Sequence, residues 1–306
     1  VRPELVASLP PLPPRDPAGH KGTFGTALVV GGHLARGIAD PFTMVGGPSL
    51  AALAALRAGC GLVELAVPEP LVPAAAAIAP EAVLVPLPVV AGEIDPSAAA
   101  ERIDAAKARA RAIAIGPGLG QGWPERQLTI RLVASDDLPL VVDADALNAL
   151  AATPDFARDL RAPAILTPHP GEFARLRAAL DLDLPDAGGD PRDAERRLAA
   201  AAALAARLGA VVVLKGAHTV VTDGVRAWVS PAANAALATA GSGDVLTGIA
   251  VGLLARLAGR STLGPFEIAA HAVAIHAAAA ATWADEFAPV AFRGMLAREL
   301  LPRIAP

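Results

Sequence analysis

Residues 111–145 read RAIAIGPGLGQGWPERQLTIRLVASDDLPLVVDAD, and the succession of patterns in them decides the fold class. A short apolar, β-branched run ends in a glycine-rich turn. A segment of good helix formers, Pro124–Ala134, follows, and a second apolar run (138–145) closes on Asp143 and Asp145. Strand, helix and strand, with apolar runs that do not alternate with polar residues, mark parallel strands buried on both faces. The same succession recurs in both directions from there. TALVV (26–30), LVELAVP (62–68) and AVLVPL (82–87) precede it; PAILTPH (163–169) and AVVVLKG (210–216) follow it. Helix candidates Ser49–Ala58, Ser97–Ala108 and the Ala/Arg-rich Arg192–Leu208 fall between these runs. After residue 216 the pattern changes. TVVTDG (219–224) and RAWVSP (226–231) predict a hairpin turning at Asp223-Gly224, and helices fill most of the remainder.

The expected architecture is therefore α/β: a mostly parallel central sheet with helices on both faces, an antiparallel edge and a C-terminal helical layer. One domain over residues 1–306 is expected, with the Pro-rich residues 1–19 as an extended arm. DLDLPDAGGDPRD, residues 181–193, is the clearest irregular loop.

Composition narrows the function classes. Hydrophobic residues make up 54% of 306, enough for a large core, and the formal charge is −4. Such a chain offers no basic face for nucleic acid, so a small-molecule substrate is expected. A single cysteine, Cys60, excludes an intramolecular disulfide and suits a reducing, cytoplasmic setting. Its place in RAGCGLV suggests packing at a helix–strand turn rather than reactivity. The N-terminal segment has no apolar stretch resembling a signal peptide. The Ala-rich stretch 268–284 is interrupted by His271 and His276, which fits a buried helix better than a membrane span.

Ligands of open α/β sheets collect beyond the carboxyl ends of the strands, and five such ends carry more than turn residues. NAALATAGSGDVLTGIAVGLLA (234–255) places Ala240, Gly241, Ser242 and Gly243 before Asp244 and a long apolar helix. Glycines admit close approach of a ligand to the backbone, and free N–H groups at a helix start suit a phosphate. Asp244 is either a first-turn carboxylate favoured by the helix dipole or a base aimed at a hydroxyl. Lys215, one of three lysines, ends an apolar strand. It is either a solvated edge charge or a phosphate contact. Thr167, His169 and Glu172 occupy a Pro-rich turn, where His169 is a turn histidine or a ligand contact and Glu172 a dipole-stabilising first-turn acid or more. Gly116, Gly118, Gly120 and Gly122 form a glycine turn, but Gln121 breaks the dinucleotide G-x-G-x-x-G spacing. Asp143, Asp145 and Asn148 end another strand, where carboxylates hold Mg²⁺ through water, orient a hydroxyl or cap a helix. No lysine follows a glycine, so a P-loop is excluded, and no H-E-x-x-H is present.

In chain order, HKGTFGTALVVGG (20–32), LAALRAGCGLVELAVP (53–68), IGPGLG (115–120), VVDADALNAL (141–150), LTPHPGEFARL (166–176), VLKGAHTVV (213–221) and LATAGSGDVLTGI (237–249) resemble the blocks of the ADP/ATP-dependent NAD(P)H-hydrate dehydratases, within the ribokinase-like superfamily. The resemblance implies a ribokinase-like fold. It also implies a substrate that is the S epimer of hydrated NADH or NADPH, with ADP or ATP as co-substrate alongside Mg²⁺. The ring hydroxyl would be phosphorylated, and loss of phosphate would restore the reduced cofactor. By the same resemblance Asp244 is the base and Ala240–Gly243 form the anion hole. Lys215, Gly216, Ala217, His218 and Thr219, with Gly243, contact the nucleotide; Gly47, Gly118, His169 and Asp244 contact the hydrated dinucleotide. A homotetramer is implied, and a separate epimerase acting on the same substrate pool is expected. A vitamin or sugar kinase on the same fold would share the anion hole and Asp244, and a nonenzymatic nucleotide-binding regulator is the third alternative. This chain departs from the family where His33 replaces a serine, where LARGIADPFTMVGGP (34–48) lengthens the segment, and where Gly47 replaces a common alanine.

Overall fold

The structure, a computed structural model, describes residues 2–181, 193–287 and 294–306. All but the end residues of the loop expected at 181–193 lie outside the described residues. Ten strands form one sheet: β1 (Glu4–Leu5), β2 (Thr26–Val30), β3 (Leu62–Pro68), β4 (Val83–Leu87), β7 (Ala112–Ile115), β8 (Leu140–Val142), β9 (Ala164–Leu166), β10 (Val211–Leu214), β11 (Val220–Thr222) and β12 (Arg226–Val229). β5 (Val89–Val90) and β6 (Glu93–Ile94) make a small separate antiparallel pair. The spatial order is β4-β3-β2-β7-β8-β9-β10-β11-β12-β1. The strands from β4 to β10 pair in parallel, while β10–β11 and β11–β12 are antiparallel.

The central strands read as unbroken apolar runs because both faces are covered. Every residue of β2, β7, β8, β9 and β10 is buried. Successive side chains alternate between the faces. Ala27 and Val29 pack with α1 (Gly46–Arg57), α2 (Val72–Ile78), α9 (Ser242–Leu257) and α10 (Pro265–Glu286). Leu28 and Val30 pack on the opposite face with α3 (Pro96–Lys107), α4 (Trp123–Val133), α5 (Ala144–Ala151), α6 (Phe156–Asp159), α7 (Pro170–Ala179) and α8 (Ala194–Leu208). The Ala-rich stretch is α10, and among the described residues no helix is long and apolar enough to cross a membrane.

The expected hairpin forms, with the Asp223 side chain accepting from the backbone of Val225 (3.0 Å) and Arg226 (2.7 Å). It is not the outermost element, however. The N-terminal arm runs extended across the molecule and adds β1 outside β12, parallel to it, pairing Glu4 with Arg226. Farther along the arm, the Pro10 carbonyl lies 2.7 Å from His271 Nε2, and the Pro13 carbonyl accepts from Arg256 (2.6 Å). Cys60 is buried, its thiol directed at the carbonyls of Ala55 and Leu62.

α1 begins at Gly46, three residues before the expected Ser49, and lies beside α9 with matching polarity. Gly47 adjoins Asp244, Ala51 adjoins Gly248, and Ala55 adjoins Gly252. A side-chain carbon on Gly248 would overlap the Ala51 carbonyl oxygen, and one on Gly252 would come within 2.5 Å of the Ala55 carbonyl oxygen. The alanine face LAALAAL and the glycine face of α9 thus let two helix backbones touch, and both N-termini arrive at the same end of the sheet. Overpacking a backbone contact cannot be relieved by a rotamer change. Gly248→Val is therefore expected to lower the unfolding free energy by about 1–3 kcal/mol, read as a lower urea midpoint with an unchanged m-value.

Candidate active site

The carboxyl ends of β8, β9 and β10 meet the N-terminus of α9. Val142 and Leu166 are partners across β8–β9, so the residues that follow them, Asp143 and Thr167, are neighbours. Asp143 occupies the N-cap position of α5 but does not cap it. Instead Asp143 Oδ1 accepts from Thr167 Oγ1 (2.7 Å) and Lys215 Nζ (2.8 Å), and Oδ2 accepts from Thr247 Oγ1 (2.7 Å). Burial opposes ionisation of Asp143, and the Lys215 ammonium with the three donated hydrogen bonds outweighs it, holding the carboxyl below its usual range. Burial likewise works against the Lys215 charge, and the Asp143 and Glu172 carboxylates overcome it, raising its pKa. Lys215 follows an interior strand and is only 20% exposed. It is therefore neither an edge residue nor a solvated charge.

His169 realises the turn reading in part. It is the N-cap of α7, where its Nδ1 accepts from the backbone of Gly171 (3.0 Å) and Glu172 (3.3 Å), and Glu172 returns a contact to the His169 N–H at 2.7 Å. The His169 Nε2 lies 3.3 Å from Glu172 Oε1, and the ring is half exposed. Glu172 is buried with Oε2 3.7 Å from Lys215 Nζ, and burial pushes its carboxyl up. His169, Glu172, Lys215 and Asp143 thus form one chain of polar contacts along three strand ends.

Asp244 sits in the first turn of α9 without capping it. The N-cap is Gly241, whose φ of +87° carries the chain into the helix in a conformation that disfavours a side chain. No side chain caps this end, and the Ser242 hydroxyl donates backward to the Leu237 carbonyl (2.7 Å). Gly47 faces Asp244 so closely that a side-chain carbon there would lie 3.1 Å from Oδ2. One on Gly243 would lie 3.5 Å from Lys215 Nζ. Burial, reinforced by the Asp143 carboxylate and opposed by Lys215, lifts the Asp244 carboxyl to about 7.

The structure brings Gly47, Gly243, Asp244 and Lys215 together. Gly118 packs beside Met44 and Pro48, next to Gly47. Gly216, Ala217, His218 and Thr219 form the turn from β10 to β11, with Thr219 Oγ1 on the Gly216 carbonyl (3.1 Å) and His218 Nδ1 at 3.2 Å from the Ser230 carbonyl. Asp145 caps nothing and instead secures the glycine turn, accepting from Gly120 N (2.9 Å) and Gln121 Nε2 (3.1 Å). Asn148 lies apart, bonded to Arg175.

Sequence reasoning missed Thr247 and Arg197. Thr247 lies one turn beyond Asp244, and its spacing hints that it shares a face. Arg197 is fully buried, and its guanidinium donates to the carbonyls of Leu214 (3.2 Å) and Lys215 (3.0 Å), fixing the end of β10. Nothing distinguishes it in sequence from the solvated arginines of the same helix. His276 is a core histidine that bonds the Ser242 backbone, and burial depresses its pKa to about 4.

Removing one partner of a buried pair leaves the other charge uncompensated. Lys215→Met is expected to cost about 2–4 kcal/mol of stability at pH 7. Adding Asp143→Asn should recover part of that loss, a coupling that denaturant titration of the single and double variants measures.

Residues 38–305 match the family described as NAD(P)H-hydrate dehydratase. The bifunctional NAD(P)H-hydrate repair enzyme of Salinibacter ruber is 41% identical over 302 residues, covering 96% of this chain and 50% of that protein. The chain spans about half the length of such bifunctional relatives. The ADP-dependent (S)-NAD(P)H-hydrate dehydratase of Bacillus subtilis is 35% identical over 96% of this chain and 93% of its own length. Among solved structures, the ADP/ATP-dependent NAD(P)H-hydrate dehydratase of Bacillus subtilis, co-crystallised with ATP/Mg²⁺, matches with a TM-score of 0.71 at 34% identity, covering 96% of this chain and 92% of that one. A ribokinase-like superfamily protein of Enterococcus faecalis shares the fold at 22% identity, with a TM-score of 0.70 over 95% of this chain and 89% of that one. The sheet order, the uncapped glycine turn before Asp244 and these matches lead to one assignment: the chain belongs to the NAD(P)H-hydrate dehydratase family and has its ribokinase-like fold.

Proposed function

We propose that the protein is an ADP- or ATP-dependent dehydratase that returns the S epimer of hydrated NADH or NADPH to the reduced cofactor. The observation that carries this reading is Asp244. It is a carboxylate lifted to about 7, freed from capping and placed in the first turn of α9, an end that no side chain caps. A base with a pKa near the working pH combines a usable ionised fraction with a real drive to take a proton. Asp244 takes the proton of the ring hydroxyl as that oxygen attacks the terminal phosphorus of the nucleotide. The bond from that phosphorus to the bridging oxygen breaks, and the shortened nucleotide leaves with the electron pair. Backbone N–H groups of Ala240 to Gly243 meet the charge on the transferring group, the positioning and electrostatic work this chemistry requires. The ring C–O bond then breaks with loss of a proton from the adjacent carbon. Phosphate departs and the dihydropyridine is restored.

In this reading the turn Lys215 to Thr219, with Gly243, contacts the nucleotide, while Gly47, Gly118 and His169 contact the hydrated dinucleotide. Because the Lys215 ammonium is already bonded to Asp143, its part is to fix the turn and offset nearby acids. Among the described residues no group of three or more His, Cys, Asp or Glu could hold a metal. Mg²⁺ is usually held by one or two carboxylates together with substrate oxygens, and in this reading it arrives on the phosphates. Glu172, beside Lys215, is a carboxylate that would hold such an ion through water. Homotetrameric assembly, a cytoplasmic setting and an epimerase acting on the same hydrate pool complete the reading, and family likeness alone supports them.

The test is growth of the reduced-nicotinamide absorbance from hydrated NADH, Mg²⁺ and either ADP or ATP. Growth only with nucleotide supports the dehydratase; formation of a stable phosphate ester instead would point to a small-molecule kinase. Asp244→Asn should reduce turnover by roughly 10²–10⁴-fold with nucleotide affinity largely kept. In the wild type, kcat/KM should rise with pH through a midpoint near 7 as Asp244 ionises. Stability moves the opposite way. An acid whose folded pKa is raised holds its proton more tightly when folded, so ionising it costs stability progressively between the ordinary 3.8 and about 7. Asp244→Asn should accordingly be more stable than the wild type at pH 8, by about 1–2 kcal/mol, and this advantage should vanish below pH 4.

A further inference from the structure

The sheet changes direction between β2 and β7. From β2 the chain proceeds to β3 and β4, then returns to place β7 on the other side of β2. Ligands of open α/β sheets lodge at such a switch point, beyond the carboxyl ends of the strands. Here the segments that leave β2 and β7 enclose a cavity of about 410 Å³, bordered by His33, Arg36, Asp40, Phe42, Gly120 and Asp145 among others. That volume falls within the roughly 300–1,000 Å³ of small-molecule sites.

The walls are built rather than incidental. His33 and Met44 exchange backbone hydrogen bonds of 2.9 Å in both directions, closing the lengthened segment into a lobe. His33 is 2% exposed, and its Nε2 lies 2.8 Å from Asp40 Oδ2. Asp145 holds the glycine turn from the opposite wall. The guanidinium of Arg36 is paired with the buried Glu125 and lies 3.5 Å from Glu93. At the rim the Phe42 ring is 68% exposed.

We propose that this cavity receives the adenosine end of the hydrated dinucleotide and favours the NADH form over the 2′-phosphorylated NADPH form. The inference rests on the functional reading above and deepens it. The cavity lies at the β2–β7 part of the sheet, whereas the Lys215 turn follows β10. A side-chain carbon on Gly118 would lie 3.0 Å from Met44 and 3.6 Å from Pro48, and one on Gly47, the neighbour of Pro48, 3.1 Å from Asp244. A dinucleotide whose ring hydroxyl meets Asp244 must therefore extend toward β7 and β2 if the donor nucleotide occupies the β10–β11 side. A carboxylate recognises ribose hydroxyls by accepting from them, whereas a free arginine accommodates a 2′-phosphate. Here the carboxylates of Asp40 and Asp145 line the cavity, and its one arginine is already matched by two glutamates. Phe42 offers a face on which an adenine ring can stack.

The experiment titrates NADH and NADPH into the full chain by reduced-nicotinamide fluorescence, with the donor site filled by a non-hydrolysable ATP analogue. NADH is expected to bind roughly tenfold or more tightly than NADPH. Asp40→Asn should narrow the ratio to about threefold or less by removing the repelling charge, and Phe42→Ala should weaken both ligands alike. Equal affinities, tighter NADPH binding, no binding of either, or a preference untouched in both Asp40→Asn and Asp145→Asn would overturn the assignment. Turnover of the two hydrates by the same preparations separates the two readings. A dinucleotide preference without turnover overturns the dehydratase and leaves the cavity assignment standing. Turnover without a preference does the reverse.

Discussion

Asp143 is the residue on which the arrangement of the site depends. It is fully buried, and its three hydrogen bonds reach Thr167 at the end of β9, Lys215 at the end of β10 and Thr247 on α9. Those contacts lock three adjacent strand ends to the helix that carries Asp244. A buried carboxylate is tolerated only when paired and hydrogen-bonded, so each partner is held in place by the cost of leaving the acid unsatisfied. The proximity that sets the Asp244 carboxyl follows from the same arrangement, because the Asp143 charge is among the groups that raise it. The network therefore positions Asp244 and adds to the effect of burial on its proton affinity.

The second constraint is steric. Gly248 and Gly252 bring α9 against the backbone of α1, so that two helices of matching polarity deliver their N-termini to one point. Each N-terminus carries unsatisfied N–H groups and a partial positive charge. Bulkier residues along this seam would part the helices and separate Gly47 from Asp244. The small residues that give the two helices their low side-chain volume thus serve the geometry of the site as much as the core.

Much of this was legible in the sequence, for identifiable reasons. Parallel strands buried on both faces are continuous apolar runs, so β2, β3, β7, β8, β9 and β10 could be read directly. The glycine turn before Asp244 could be read because it combines a helix start with residues that suit positive φ. Features that depend on contacts distant in sequence could not be read. Nothing local in the Pro-rich arm predicts that Glu4–Leu5 would pair outside β12. The capping reading of Asp145 was reasonable by position, yet its carboxylate is used on the glycine turn of another strand. Arg197 looks like any helix arginine until the fold places the carbonyls of Leu214 and Lys215 against it. Lys215 was visible as an anomaly in an apolar run, but its partner lies 72 positions away, and only the parallel register brings the two together.

The charge balance around Asp244 constrains how a phosphate can be held there. Among the described residues, the carboxylates of Asp143, Asp145 and Glu172 act on Asp244 and the Lys215 ammonium opposes them. The charge of that lysine is already shared between Asp143 and Glu172. On the proposed function, these side chains therefore offer an incoming polyphosphate little net attraction. In that reading the attraction comes from oriented backbone dipoles, which need no counter-charge of their own. The uncapped N-terminus of α9, introduced by a glycine at positive φ, supplies such dipoles at the point where charge would develop. On the same reading, a cation carried by the nucleotide would offset the charge of these carboxylates. Burial, reinforced by the same acids, lifts the Asp244 carboxyl to about 7, so on the proposed function the features that leave little side-chain attraction for phosphate are those that suit Asp244 to act as the base.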